Sequence, residues 1–434
     1  HPAPTDDGES ESAPDWITSM CHSRYDDSLV QSVKGRRGIV DGLLCAGGND
    51  GVLTVYDTGE SLLIDGGHHQ NSTGKEKKSV SFRQADSIKA HSGPLKCMDS
   101  LSVSDSAKQM STTLIASGST DQTLVSHIFS SSHQNAEEDS SSKERLALHA
   151  VYSGGHSATI SSVALSCNNN QQQQQHNTKS TLLASGDWNG MLCLWDTGFS
   201  VNNTDADKEN EHLSQEEEAW NKNAVVTKKR RTTAGSTTTS NTVREIEPIL
   251  TFGAHSNNLS GICWGHSSTN NVSNTLITCS WDHSIKSWDV ESQNIKLTLN
   301  GSKVIACMGR SHEADLVATG HPDCTVRLWD MRTQGTGQQV GGGGDSGTMG
   351  SISDSSLLPS HKAWVTSVQW SPNNPFLLAS SSHDGTVKVW DIRSSLPLHT
   401  TRAHPKGSKA LCMAYDKRAI YSGGSDCIVK RFKC

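Results

Sequence analysis

His361, Ser380, Asp384 and Trp390 bring an imidazole, a hydroxyl, a carboxylate and an indole into one short stretch of chain. The first three are the side-chain types of a nucleophilic triad, in which the imidazole takes the hydroxyl proton and the carboxylate orients the imidazole. Comparable sets recur along the chain: His91 with Ser117 and Asp121, His255 with Thr278 and Asp282, His404 with Ser422 and Asp426. A triad is needed once, so the recurrence argues for a structural role. A buried imidazole, hydroxyl, carboxylate and indole are costly unless they satisfy one another, and a satisfied set fixes one register per repeat.

The remaining motifs carry less chemistry. Gly342, Gly344 and Gly347 satisfy G-x-G-x-x-G, but in a Gly/Ser-rich stretch and not between a strand and a helix, so no dinucleotide site is expected. The twelve cysteines include no C-x-x-C pair, which argues against a zinc site and for free thiols in a reducing compartment. No catalytic, metal-binding or cofactor-binding residue is assigned. Lys228, Lys229, Arg230 and Arg231 form a short basic cluster in a Ser/Thr-rich segment, the composition of a nuclear import signal. The net charge of −7 disfavours nucleic-acid binding as the main source of affinity, while leaving local basic patches open. No apolar run is long enough to span a membrane as a helix.

The elements that position these residues repeat seven times. Aligning the segments on a turn residue (Asp50, Asp121, Asn189, Asp282, Asp323, Asp384, Asp426) places an apolar residue six positions earlier every time: Leu44, Ile115, Leu183, Leu276, Val317, Leu378 and Ile420. Ala46, Ser117, Ser185, Thr278, Thr319, Ser380 and Ser422 stand four positions earlier. Tyr56, His127, Trp195, Trp288, Trp329, Trp390 and Phe432 stand six positions later. Five repeats carry a His upstream: His91, His156, His255, His361 and His404. Asp15 and the Gly301-Ser302 turn stand at that place in the first and fifth. The shortest spacings between turns match a blade of about 40–45 residues.

This pattern resembles the WD-repeat family over nearly the whole chain. The resemblance implies an all-β, seven-bladed WD-repeat β-propeller, and assigns the His, Ser/Thr, Asp and Trp to a buried tetrad in each blade. The expected organisation is a disordered N-terminal segment over 1–13 and a propeller over 14–434. Long disordered polar loops interrupt it at about 66–84, 130–143, 168–179, 200–241 and 334–356. Trp16, Trp264, Trp364 and Trp370 fall in or near first-strand positions, where packing explains them as well as an interface would, so no interface residue is assigned.

Several segments together are similar to the WD-repeat subunits of the PeBoW complex: SWDHSIKSWDVES (Ser280–Ser292), GSKV (Gly301–Val304), RLWDMRT (Arg327–Thr333), HKAWVTSVQWSP (His361–Pro372), VKVWDIRS (Val387–Ser394) and SGGSD (Ser422–Asp426). The resemblance implies a nucleolar and nucleoplasmic scaffold without enzymatic activity. It would bind the block-of-proliferation subunit directly, pescadillo within the complex, and pre-large-subunit ribosomal particles. Those proteins begin with a ubiquitin-like domain gripped by the ATPase midasin. Nothing before Trp16 could form it, so the chain is expected to be a fragment and midasin binding is not assigned here.

Two other functions compete. Trp329-Asp330-Met331-Arg332 and Trp390-Asp391-Ile392-Arg393 look like the W-D-x-R pattern of cullin-4 ubiquitin ligase substrate receptors, and a chromatin or signalling scaffold is the third possibility. The last repeat stops at its third strand and His1–Pro14 makes a poor fourth, so weak ring closure is expected.

Overall fold

Each repeat becomes a meander of antiparallel strands, because two-residue alternation puts one side of every strand into a seam with the next sheet. The computed structural model describes residues 16–22, 24–25, 43–58, 83–105, 110–132, 146–167, 180–200, 244–265, 275–311, 315–332 and 357–433. Blade 1 pairs β1 (Ile17–His22), β3 (Leu43–Gly48), β4 (Val52–Asp57) and β5 (Arg83–Lys89) in that order. β2 (Arg24–Tyr25) leaves blade 1 and adds parallel to β6 of blade 2.

Blade 2 is β6 (Leu95–Asp105), β7 (Met110–Ser119), β8 (Leu124–Ser132) and β9 (Leu146–Tyr152). Blade 3 is β10 (Ile160–Cys167), β11 (Ser180–Asp187), β12 (Met191–Ser200) and β14 (Leu250–Gly253). Before forming β14 the chain runs as β13 (Glu245–Ile246) parallel to β9, covering the outer edge of blade 2.

Blades 4 to 6 are plain four-stranded meanders. Blade 4 holds β15 (Leu259–Trp264), β16 (Thr275–Ser280), β17 (Ser284–Asp289) and β18 (Asn294–Asn300). Blade 5 holds β19 (Cys307–Arg310), β20 (Leu316–Gly320), β21 (Thr325–Asp330) and β22 (Leu357–Pro359). Blade 6 holds β23 (Val365–Trp370), β24 (Leu377–Ser382), β25 (Thr386–Asp391) and β26 (Pro397–Arg402). Blade 7 has three strands among the described residues: β27 (Ala410–Tyr415), β28 (Ala419–Gly424) and β29 (Val429–Lys433).

The core is divided among the seams, one apolar cluster between each pair of neighbouring blades. Cys45, Leu53 and Val55 of blade 1 pack with Leu95, Ile115 and Phe129 of blade 2. Six further clusters repeat the arrangement around the ring. Six residues that open the innermost strands, Ile17, Leu95, Ile160, Leu259, Val365 and Ala410, and Ile305, which stands two positions before β19, are all buried.

A second ring of contacts links the blades by hydrogen bonds. In four blades the hydroxyl one position further on donates to the backbone carbonyl of the opening residue in the next blade. Thr18 Oγ1 reaches Leu95 O at 2.5 Å, Ser161 Oγ reaches Leu259 O at 2.5 Å, Ser260 Oγ reaches Ile305 O at 2.6 Å, and Thr366 Oγ1 reaches Ala410 O at 3.0 Å. The other three blades have Lys96, Ala306 and Leu411 there, and a cysteine follows each. Those thiols take over: Cys97 Sγ points to Ile160 O at 3.7 Å, Cys307 Sγ to Val365 O at 3.8 Å, and Cys412 Sγ to Ile17 O at 3.5 Å.

The last of these contacts closes the ring from blade 7 to blade 1. The seam there is packed, with Ile17, Met20, Leu44 and Ala46 against Cys412, Ala414, Ala419 and Tyr421. Weak closure therefore describes only the outer edge of β29, which has no partner strand among the described residues. Three expected loop boundaries also shift: Arg83–Gln84, Ser130–Ser132 and Ser200 belong to strands β5, β8 and β12. The strand alternation continues into these polar residues because each is paired across its sheet. The rest of the five insertions lies outside the described residues, as do residues 1–13.

Each turn from the second to the third strand places one residue in the left-handed region. These are Gly51, Gln122, Gly190, His283, Cys324, Gly385 and Cys427, with φ between 62° and 81°. In blades 1, 3 and 6 the carbonyl of that residue accepts the backbone N–H groups of the next loop. Gly190 O, for instance, takes Ala254 N at 2.9 Å and His255 N at 3.1 Å. A side chain there would collide with the same loop, since a Cβ on Gly190 would sit 2.2 Å from His255 O. The turn thus fixes the segment that carries a tetrad histidine.

Candidate interaction face

Four chemically interesting groups meet at each complete blade. His361 Nε2 lies 2.7 Å from Ser380 Oγ, Trp390 Nε1 donates to the same oxygen at 2.8 Å, and His361 Nδ1 lies 3.2 Å from Asp384 Oδ2. The hydrogens balance when Nδ1 carries the proton: it donates to Asp384, the Ser380 hydroxyl donates to Nε2, and the Ser380 oxygen accepts from the indole. Burial works against ionisation of Asp384, but hydrogen bonds from His361 and Thr386 outweigh it and hold the carboxyl well below the usual range. Ser380 is fully buried and its hydroxyl hydrogen is committed, so it cannot meet a substrate. The arrangement ties β23's preceding loop to β24 and β25.

Blade 4 repeats it with His255, Thr278, Asp282 and Trp288. Blade 3 repeats it with a different acid. His156 Nδ1 faces Asp187 Oδ2 at 3.1 Å, not the turn residue Asn189, whose backbone N–H donates to Asp187 instead. Asp187 ends β11 two residues after Ser185, so both point to the same side of the strand. Burial pushes His156 down, yet the hydrogen bond to Asp187 prevails and holds it up at about 9.

Blade 5 fills the missing imidazole from the same strand end. His321 Nε2 meets Thr319 Oγ1 at 2.8 Å, and Trp329 Nε1 donates to that oxygen at 2.7 Å. His321 Nδ1 donates to Val304 O at 2.7 Å, in the turn that lacks a histidine of its own. Burial, with the Arg327 charge, pushes His321 down to about 4.

Two blades are partial. In blade 2 His91 Nε2 reaches Ser117 Oγ at 2.9 Å and the ring-bearing position holds His127, buried, with Nδ1 lacking a partner. Burial and the nearby His91 push His127 down to about 4. In blade 7 His404 Nε2 meets Ser422 Oγ at 2.9 Å and Nδ1 meets Asp426 Oδ1 at 2.8 Å, but Phe432 supplies no indole donor.

With the polar sets committed to the interior, the exposed aromatic side chains lie elsewhere. At one end, every blade but the fifth, where Pro322 has no N–H to give, pairs a residue before its first strand with a residue of its turn through the same backbone hydrogen bond. Trp188 N donates to Thr159 O at 3.0 Å, Trp281 N to Asn258 O at 2.9 Å and His383 N to Trp364 O at 2.9 Å. These positions carry three exposed indoles, Trp188 at 52%, Trp281 at 38% and Trp364 at 48%. Tryptophan exposed on a rigid backbone is the typical interface anchor. Trp264 and Trp370 instead donate their indole N–H into the structure, to Ala164 O and Gly309 O at 3.0 Å each.

Arg332 and Arg393 lie at the opposite end, after the third strands of blades 5 and 6. Each is clamped to its own WD aspartate, Nη2 reaching Asp330 or Asp391 at 2.6 Å, and Arg393 also covers Phe376 at 4.7 Å. Lys228, Lys229, Arg230 and Arg231 lie outside the described residues. Among the described residues no three His, Cys, Asp or Glu side chains converge as metal ligands.

Comparison with known proteins agrees with this architecture. The family model "WD domain, G-beta repeat" matches residues 148–196, 246–289, 293–330 and 353–391. A protein of Nematostella vectensis named "Ribosome biogenesis protein WDR12 homolog" is 33% identical over 63% of this chain and 53% of its own length. The protein of that name from Chlamydomonas reinhardtii is 27% identical over 96% of the chain and 76% of its own. That from Aedes aegypti is 30% identical over 59% and 49%. The chain thus spans about half the length of two of these relatives and three quarters of the third. Seven sheets with recurring tetrads, together with these matches, make the chain a seven-bladed propeller with WD repeats in the matched segments, similar to the WDR12 ribosome biogenesis proteins.

Proposed function

We propose that the protein is a non-enzymatic scaffold in the assembly of the large ribosomal subunit, acting in pre-rRNA maturation through protein–protein contacts. The observation that carries this reading is the likeness to one ribosome biogenesis protein along 96% of the chain, and to others along about 60%. The burial of every recurring His–Ser/Thr–Trp set supports the non-enzymatic part, since a hydroxyl locked between an imidazole and an indole has no access to substrate. The partners are the block-of-proliferation subunit, contacted directly, pescadillo within the same complex, and pre-large-subunit particles. Midasin would act only through a ubiquitin-like domain. The protein works in the nucleolus and nucleoplasm, with Lys228–Arg231 as its import signal, and His361, Ser380, Asp384 and Trp390 serve the fold.

The test is affinity purification of the tagged protein from nuclear extract, followed by mass spectrometry. Recovery of pescadillo, the block-of-proliferation subunit and large-subunit precursors supports the reading. Recovery of a cullin-4 adaptor without ribosomal precursors overturns it.

A further inference from the structure

The sector of the Trp-bearing end formed by blades 6 and 7 combines a stacked ring pair with three exposed lysines. Trp364 and His383 stack with ring centroids 6.1 Å apart and planes 9° from parallel. The pair rests on the backbone hydrogen bond from His383 N to Trp364 O, so both rings stand on rigid supports. Trp364 is nevertheless 48% exposed. Next to it, the turn at Gly385 lies against the loop entering blade 7, where a Cβ would meet Ser408 O at 2.7 Å and His404 O at 3.3 Å. That loop carries Lys406 and Lys409, and Lys362 precedes the tryptophan by two residues; all three are exposed.

The carboxylates of this sector, Asp384 and Asp426, are largely buried and committed to the fold, while its lysines are exposed. Asp384 accepts from Lys362 N at 2.9 Å, His361 Nδ1 and Thr386, and Asp426 accepts from His404. Among the described residues no ion pair includes Lys362, Lys406 or Lys409, so these ammonium groups are available to a ligand.

We infer that this sector is a binding platform for single-stranded nucleic acid. A base continues the Trp364–His383 stack, and Lys362, Lys406 and Lys409 receive the flanking phosphates. Flat, parallel rings favour a planar base, which has a π-face to offer, over an acidic peptide, which has only charge. A basic patch on a chain of net charge −7 makes the attraction local and sensitive to salt. The inference goes beyond the scaffold reading and does not rest on it, because stacking and phosphate contacts need no partner protein.

The test is fluorescence anisotropy of the whole protein with labelled oligouridine and oligothymidine, against an RNA duplex and polyglutamate as competitors. Both single strands are expected to bind, because stacking tolerates either base. Trp364→Ala should weaken binding about tenfold, and Trp364→Phe should retain most of it. Lys362→Gln with Lys409→Gln should lower the salt slope by about 1.4. Thermal melting of each variant shows that the fold is kept. Binding unchanged in Trp364→Ala, or competition by duplex or polyglutamate as strong as by the single strands, overturns the inference.

Discussion

Ser380→Ala removes one oxygen that serves two buried groups. His361 Nε2 at 2.7 Å loses its donor and Trp390 Nε1 at 2.8 Å loses its acceptor, and neither reaches water in its place. Each orphaned buried group costs about 1–3 kcal/mol, so the change should cost about 2–6 kcal/mol. Ser422→Ala is the internal control. It removes an equally buried hydroxyl, but Phe432 offers no indole, and only His404 Nε2 at 2.9 Å is orphaned. Its cost should be about 1–3 kcal/mol, near half of the other. Urea unfolding followed by far-ultraviolet circular dichroism gives both values as shifts in midpoint, provided the slopes stay equal. A larger shift for Ser380→Ala supports the tetrad as a shared network. Equal shifts for the two variants, or none for either, would refute the argument that the indole and imidazole depend on one hydroxyl.

Other expectations follow from the same geometry. His127 and His321 are both pushed down to about 4, chiefly by burial, and bind a proton near 6.5 when unfolded. The unfolded chain then binds more protons between pH 6.5 and 4, so stability present above pH 6.5 is lost as the pH falls through that window. The loss is about 2 kcal/mol per residue between pH 7 and pH 5, read as urea midpoints at those two values; a flat profile contradicts it. Gly190→Ala should destabilise by more than about 1 kcal/mol, because φ is 76° and the new Cβ meets His255 O at 2.2 Å. Differential scanning calorimetry checks this, and an unchanged transition speaks against it. Thr18→Val, which removes the hydroxyl bond to Leu95 O at 2.5 Å, should cost about 1 kcal/mol and speed amide exchange in the seam between blades 1 and 2. Unaltered exchange there would show that the inter-blade hydroxyl is dispensable.

Seven-fold repetition made the blades legible before any coordinates. An apolar residue six positions before the turn recurs from Leu44 to Ile420 because that strand position always faces a seam. The tetrad was less legible, because a single register supposes that each member always comes from one place. Asp187 and His321 break that supposition in the same way. Both stand two residues after the strand hydroxyl, on the same side of the strand, and reach the pocket that the turn residue or the loop histidine fills elsewhere. The cysteines read as free thiols, and Cys45 and Cys193 lie buried among apolar side chains. The donor role of Cys97, Cys307 and Cys412 required knowing which carbonyl of the next blade lies opposite. The exposed indoles were hidden for a related reason. Trp188 and Trp281 sit beside turn residues, in segments otherwise explained by the repeat, and only the closed ring puts them at one end with Trp364.

The scaffold account is tested most directly by depleting the protein and following precursor ribosomal RNA. The account predicts accumulation of large-subunit precursors and loss of mature large subunits, with small-subunit maturation unaffected, and rescue by the chain carrying Ser422→Ala. Normal processing of large-subunit precursors after complete depletion would contradict it.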